Sequence, residues 1–523
     1  MKRRSLYLFA AALVLFSCGK TEGQEEKGGD NPGKEEPVVT EKPYLTVDGE
    51  LSLAASGGDV EFKISTNQES WEFELVGNDI SWIEGNKKDA ETLVLTVWKN
   101  EVEEKRSAVL KVYAPSLSNP LAGQEYYLTQ EEGVIEYPDE VLSENGTANC
   151  YVITHRGKFF FDATVRGNGK TVNGLDAPAA ISPSGATLLW QTSKEMILSV
   201  SCKEGQIGFE ASKRPGNALI AATDEEGNVL WSWHIWHPEE EITGLKADTG
   251  DEVMNMNLGA LNDSDRSLGS YGLLYQWGRK DPFPGSPIMS GGSVITENVP
   301  VYDMGGNKVK INASSRFDLQ SNTLAFSIAN PTTCISNNAQ ASSKDWLVPE
   351  ESNKALWGNP EGYNRTGGKY TNVGSKTYYD PCPAGWRVPP IRTFQSFTTS
   401  GGYAWVFEDF NVVDINGDGT VDLGDFNTGW HIYLDKDKGI ESYFPAATRY
   451  DGGYAMFMGS MVGLWGNYWF NCPGSEADDS MIKYGAVALS FSTKDYNKND
   501  LLTMSPLSTG ARADAYSVRC IKE

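Results

Sequence analysis

The sequence predicts a mainly β, multidomain protein, and three observations predict it. The chain has 523 residues, enough for about three domains at roughly 100 to 200 residues each. Gly at 54 residues and an aromatic share of 11% beside 40% apolar content suit turn-rich β domains rather than disorder. Short runs that alternate apolar and polar residues recur between Gly and Asn turns, which is the period of half-buried strands. The formal charge, 45 Lys and Arg less 70 Asp and Glu, is −25. Such acidity repels phosphates and excludes nucleic acid as a partner. Four His residues leave little for imidazole-based metal catalysis.

Residues 1–18 begin Met1-Lys2-Arg3-Arg4, run apolar over 6–16 and end Ser17-Cys18. The apolar run is too short to span a bilayer, and the basic start before it marks export. Leu15-Phe16-Ser17-Cys18 resembles a bacterial lipobox. The resemblance implies cleavage before Cys18 and acylation of its thiol, with lipid as the only contact to a membrane. Loss of Lys2, Arg3 and Arg4 takes the charge to −28, from 42 − 70. Residues 19–43 hold five Gly, three Pro, seven acids, four Lys and only Val38 and Val39 as apolar side chains. They cannot fold by burial and form a disordered acidic tether with a reach on the order of 25 to 30 Å. The acidic tract after Cys18 resembles the surface-export signals of Bacteroidota lipoproteins, which implies an outer-membrane anchor facing the cell exterior. Cys150, Cys202, Cys334, Cys382, Cys472 and Cys520 remain, an even number in an oxidising compartment. No CxxC occurs, so these are bridges or buried thiols, with the pairing left open.

In residues 44–132 alternation recurs at Val60, Phe62 and Ile64; at Trp71, Phe73 and Leu75; at Leu93, Leu95 and Val97; and around Val109 to Val112. Strands about ten residues apart in a short module predict a small immunoglobulin-like sandwich. Trp71 and Trp82, at alternating strand positions, are expected in its core. Gly57-Gly58, Ser70-Trp71, Ser81-Trp82-Ile83, Asn100, Arg106 and Leu128-Thr129-Gln130 together resemble the BACON domain of Bacteroidota lipoproteins and glycan-degrading proteins, a resemblance that implies a carbohydrate-binding or spacer role.

Residues 137–240 read as a second β-sandwich, with Asn-Gly and Gly-Asn turns between strands and a closing run from Leu230 to Trp236. Trp231, Trp233 and Trp236 on that run are expected at a core or interface. His234 and His237 share an i, i+3 spacing that gathers on a metal only in a helix, while the Trp neighbours and Pro238 predict a strand. Gly169-Lys170-Thr171 lacks the first Gly of a phosphate-binding loop, since Thr164 stands there. No G-x-S-x-G, H-E-x-x-H or G-x-G-x-x-G occurs.

Residues 241–523 are rich in Gly and aromatics. Their landmarks are Asn255-Met256-Asn257-Leu258-Gly259, Tyr275-Gln276-Trp277-Gly278-Arg279, Asp380-Pro381-Cys382-Pro383-Ala384-Gly385-Trp386-Arg387, Phe444-Pro445-Ala446 and Ser517-Val518-Arg519-Cys520. This set, in this order, resembles the fibrobacter major paralogous (FISUMP) domain. The resemblance implies an irregular α+β fold related to C-type-lectin-like and formylglycine-generating-enzyme-like domains, and a Cys382–Cys520 bridge. The redox chemistry of the enzyme branch requires paired cysteines near the C-terminus, and Cys520 stands alone there.

Inserted in this module, residues 414–425 place Asp414, Asn416, Asp418, Asp422 and Asp425 at positions 1, 3, 5, 9 and 12 of a twelve-residue loop, with Gly419 at position 6. Thr420 at position 7 offers its carbonyl. A hard divalent cation needs six or more oxygens on a small sphere, so the loop is predicted to hold structural Ca2+. It also resembles a dockerin loop, but a cohesin partner requires two such loops and the second is missing. The expected function is non-enzymatic binding of glycan or host surface, with Trp357, Tyr363, Tyr378 and Tyr379 as aromatic platform candidates. A structural or fimbria-associated subunit is the alternative, and a glycoside hydrolase with paired carboxylates the third reading.

Overall fold

The computed structural model describes residues 41–289, 298–315, 319–337, 344–361, 365–366, 369–453, 455–474, 485–493 and 503–523. Cys18, the lipobox and most of the tether lie outside these residues, as does Tyr363. The protein is mainly β, with several separate sheets. Its described α-helix is one six-residue turn, Leu324–Ala329, capped by the Thr323 side chain on the Phe326 N–H. The chain divides into two compact units, residues 1–135 and 136–523.

In the first unit, Leu45–Asp48, Gly58–Thr66, Thr92–Val97 and Ile83–Lys87 form one antiparallel sheet in that order. Ser52–Leu53, Ala122–Gln130, Arg106–Ala114 and Glu72–Val76 form the other. Alternation sends Phe62, Ile64, Leu93 and Leu95 from one sheet and Leu110, Val112 and Leu128 from the other into a single apolar cluster. Trp71 and Trp82 are buried in it. Its open end is closed by polar side chains rather than apolar ones. The buried Gln130 amide donates to the Ala54 and Trp98 carbonyls and accepts from Arg106, whose guanidinium covers the Trp82 ring at 5.3 Å. Asn100 donates to the Glu104 and Glu131 carbonyls and accepts from the Val102 N–H. At Gly57, with φ of +70°, a Cβ would meet the Val97 carbonyl oxygen at 2.3 Å, so only glycine fits the turn.

The second unit is held by one large core that joins residues 150–236 to residues 254–520. The expected second and third modules therefore share their interior. A six-stranded sheet runs Cys150–Val152, Val229–His237, Gly216–Thr223, Gly185–Gln191, Val301–Tyr302, Lys308–Val309. A four-stranded sheet runs Ile197–Lys203, Gln206–Ala211, Gly157–Asp162, Glu140–Val141. Every residue from Trp231 to His237 is buried. Side chains alternate along this strand, so both of its faces need partners. Trp233 meets Phe161 of the four-stranded sheet at 5.1 Å, and Trp231 meets Tyr379 at 5.7 Å. On the opposite face Ser232 donates to Asp281 (2.6 Å) and Trp236 Nε1 to the Ala260 carbonyl (2.6 Å). A further sheet pairs Leu274–Gln276 with Ala515–Ser517, and continues through Trp465–Pro473, Gly485–Ser492 and Thr503–Ala511.

Cys382 and Cys520 are joined as a disulfide. It fastens the Pro-Cys-Pro turn beside the ladder in which Trp386–Arg387 pairs with Ile521–Lys522. Cys150, Cys202, Cys334 and Cys472 are free thiols. Burial pushes Cys334 and Cys472 up to about 12, so at neutral pH both are uncharged and inert.

The bridge spans a sequence separation of 138 residues. Constraint of an unfolded loop of that size corresponds to about 4 to 5 kcal/mol in the chain-entropy picture. Replacing both cysteines by Ala is expected to lower unfolding stability by about 2 to 5 kcal/mol, read from the urea midpoint; an unmoved midpoint would refute the assignment of stability to this bridge.

Candidate functional site

The aromatic residues singled out from their Gly-rich surroundings are not a platform. Trp357 is 0% exposed, and its Nε1 donates to the Tyr379 carbonyl at 3.2 Å. Tyr378 and Tyr379 are 6% and 7% exposed; their rings lie 4.5 Å apart and pack on Trp231. Arg166 covers the Trp231 ring at 5.2 Å. The expectation is corrected at these three residues: loops carry them in sequence, but the two-sided Trp231–His237 strand draws their rings into the shared core. Burial of the hydroxyls raises both tyrosines above the ordinary phenol range.

Other chemistry-bearing groups are enclosed as well. Ser232, Lys280 and Asp281 touch one another, with Lys280 Nζ 2.5 Å from Ser232 Oγ and from Asp281 Oδ1. A serine beside a lysine is the outline of a nucleophile and base, and burial does depress Lys280 against the opposing pull of Asp281. The space beside it, about 10 Å³, holds a single water at most and no substrate. His234 shares a 2.8 Å hydrogen bond with Asn217 Oδ1 and sits 3.4 Å from the Tyr275 hydroxyl. Burial depresses it to about 3, so it is neutral. His237 lies three strand positions on, which places it on the opposite face of the strand from His234.

Residues 414–425 form a tight turn at the surface whose side chains are tied to its own amides. Asp414 accepts from Gly417 (2.7 Å) and Gly419 (2.8 Å), Asn416 from Asp418, Asp418 from Thr420, and Asp422 from Gly424. Asp425 is fully buried and accepts from the Ile415, Asn416 and Asp422 amides, pinning the start of the loop to its end. The donor set is all oxygen and suits a hard cation by its chemistry. Among the described residues no group of three or more His, Cys, Asp or Glu side chains is gathered to hold a metal. The carboxylates would have to close inward to do so.

A surface site missed in the sequence lies just before this loop. Ala404 exchanges both backbone hydrogen bonds with Met504, at 2.8 and 3.0 Å, and is buried. The pleat then throws its two neighbours to the opposite face, away from the core. Tyr403 is 55% and Trp405 64% exposed, and their rings stand edge to face with centroids 5.4 Å apart. Phe407, Phe410 and Phe426 pack around the buried Trp430 at 5.0 to 6.3 Å, an aromatic cluster that joins the segment just after the strip to the end of the acidic loop. The signal was present as Gly401-Gly402-Tyr403-Ala404-Trp405, two glycines followed by aromatics two apart. A cleft of about 360 Å³ lined by Thr192, Asn217, Tyr271 and Pro284 is one concave alternative in this unit, and one of about 350 Å³ lined by Glu140, Tyr151, Trp386 and Lys522 is another. In the first the polar lining is already engaged: Thr192 Oγ1 accepts from the Asn217 N–H, and the Asn217 side chain donates to the Gly259 carbonyl.

No model of a known protein family matches the chain, and no curated protein does. Solved structures with partial likeness include a protein from Bacteroides thetaiotaomicron, at 20% identity over 19% of this chain and 84% of that one, with a TM-score of 0.14. A Bacteroides ovatus GH5 xyloglucanase in complex with a heptasaccharide shares 17% identity over 24% of this chain and 29% of its own, with a TM-score of 0.14. The two immunoglobulin domains of DIP-gamma share 10% identity over 38% of this chain and 97% of theirs, with a TM-score of 0.17. TM-scores this low leave the fold to be described from its own sheets.

Two measurements probe these residues. His234 is depressed in the fold below its unfolded value near 6.5, so its contribution to stability is present above about pH 6.5 and is lost as pH falls toward about 3. Unfolding stability of the parent should fall on acidification by up to about 1.4 kcal/mol per pH unit more steeply than that of His234→Gln; parallel profiles would refute it. Calcium titration of the protein, followed by calorimetry and melting, is expected to give heat and a raised Tm that Asp418→Ala loses. Absence of both in the parent would leave the loop as an amide-tied turn.

Proposed function

We propose that the protein is a non-enzymatic surface lipoprotein, anchored in the outer membrane through Cys18 and facing the cell exterior, that binds glycan or a host surface through Tyr403 and Trp405. The observation that carries this reading is the exposed edge-to-face aromatic pair held outward by the Ala404–Met504 pairing. Sugars stack their C–H faces on flat rings, while their hydroxyls take carboxylate and amide partners at the rim. Glu408 is exposed three residues from Trp405, and Asp409 is bonded to the Thr399 hydroxyl at 3.0 Å. The lipobox, the acidic tether and the BACON and FISUMP resemblances support the same reading. In it, residues 44–132 are an immunoglobulin-like sandwich with a carbohydrate-binding or spacer role, and residues 241–523 belong to a C-type-lectin-like domain. A calcium ion held by Asp414, Asn416, Asp418, Thr420, Asp422 and Asp425 would stiffen the loop beside the strip. The enclosed Ser232, Lys280 and Asp281 group, with room for one water, favours binding over catalysis.

A glycan array probed with the parent and with Trp405→Ala tests the proposal. Binding to at least one neutral oligosaccharide is expected, with about a tenfold or greater loss in the variant. The fold should be unchanged by circular dichroism, because the side chain is 64% exposed. A blank array, or equal binding by both proteins, would overturn it.

A further inference from the structure

The 43 residues between Arg392 and Lys436 contain seven acids, Glu408, Asp409, Asp414, Asp418, Asp422, Asp425 and Asp435, and no Lys or Arg. Within this stretch Phe407, two residues after Trp405, and Phe426, next to Asp425, both pack on Trp430, which joins the segment that follows the strip to the end of the acidic loop. The strand that pairs with Ala404, Thr503–Ala511, carries no charged residue. Arg392, the nearest cation along the chain, is already held by Asp251 at 2.5 Å. Asp435 is paired with Lys438 at 2.6 Å and Asp425 is buried on three amides, so the rings share this stretch with Glu408, Asp409, Asp414, Asp418 and Asp422, and with no free described cation on the elements that build the strip.

From this we infer that the Tyr403–Trp405 strip takes saccharides bearing a free ammonium group, an amino-sugar oligomer, in preference to N-acetylated, uronate-bearing or sulfated ones. The inference rests on the glycan-binding reading and specifies its ligand. Two effects act together. A cation over the face of Trp or Tyr is attracted by the ring quadrupole, and Trp is the stronger of the two rings. The carboxylates raise the local concentration of cations and repel anions over about a Debye length, so the preference must fade with salt. Ammonium groups also donate hydrogen bonds to carboxylates, which an N-acetyl group cannot do with charge assistance.

Binding of glucosamine oligomers, N-acetylglucosamine oligomers of the same length and a sulfated oligosaccharide should be compared by calorimetry, at slightly acidic pH, in low and high salt. The expected result is that the free-amine oligomer binds about threefold or more tighter than its N-acetyl counterpart in low salt, with the gap closing in high salt and the sulfated ligand weakest. Trp405→Ala should abolish all binding, and Glu408→Gln should narrow the preference while leaving the N-acetyl affinity in place. Equal or tighter binding of the N-acetyl oligomer, or tighter binding of the sulfated one in low salt, overturns the inference and leaves the glycan-binding reading standing. Failure of every oligomer to bind removes both.

Discussion

The burial of the Trp231–His237 strand on both faces is the constraint on which the second unit depends. A strand of three tryptophans, two histidines, a serine and an isoleucine cannot stand at the edge of a sheet or face water on one side without exposing a large aromatic surface. One face is covered by the four-stranded sheet through Phe161 and by Tyr379, the other by residues 254–281. Those coverings come from both sides of residue 240, Phe161 before it and Tyr379 and residues 254–281 after it. Residues 137–240 and 241–523 therefore cannot bury this strand separately, and the core they share follows from it.

Two-sided burial also dictates the polar chemistry of the interior. An unpaired polar group carried in with the strand costs roughly 1 to 3 kcal/mol, and apart from Trp233 Nε1 and His237 Nδ1 the strand's side-chain groups find partners. Asn149 donates to the Tyr378 and Asp380 carbonyls and accepts from Trp231 Nε1; Asn217 serves both Gly259 and His234. The same logic places cations on backbone carbonyls deep in an acidic protein. Arg519 donates to the Asn255 and Tyr443 carbonyls at 2.7 Å each, and Lys376 to those of Cys382, Pro383 and Trp386. Burial depresses Arg519 to about 10 and lowers Lys376. These groups hold chain segments together where irregular loops offer few ladder bonds. Their perturbed ionisation comes with enclosure. Among the aromatics that no core takes are Tyr403 and Trp405, 55% and 64% exposed.

The strands were legible because their cause is local. Phe62 and Ile64, Leu93 and Leu95, and Trp231 and Trp233 alternate with polar neighbours or with residues bound for the other face, and Asn-Gly and Gly-Asn turns separate them. The buried places of Trp71, Trp82 and the Trp231–Trp236 run follow from the same period. The acidic loop was legible as a turn, since oxygen side chains two apart bond the amides that follow them, as Asp418 does with Thr420. The candidate platform was not. Trp357, Tyr378 and Tyr379 sit among glycines and asparagines, which suggests exposure, yet Tyr378 and Tyr379 pack on Trp231, nearly 150 residues earlier in the chain, and Trp357 on Trp277.

By itself the sequence determined the mainly β character and, within the short alternating runs, which residues share a face. Both are set by neighbours a few positions apart or by composition. Only the tertiary structure decided which aromatic residues are spent on the core and which meet solvent. Ala404 pairs with Met504, a hundred residues along the chain, and that pairing alone turns Tyr403 and Trp405 outward. No local period encodes a partner so distant, so the side of the sheet on which a ring ends up is fixed only when the sheet closes.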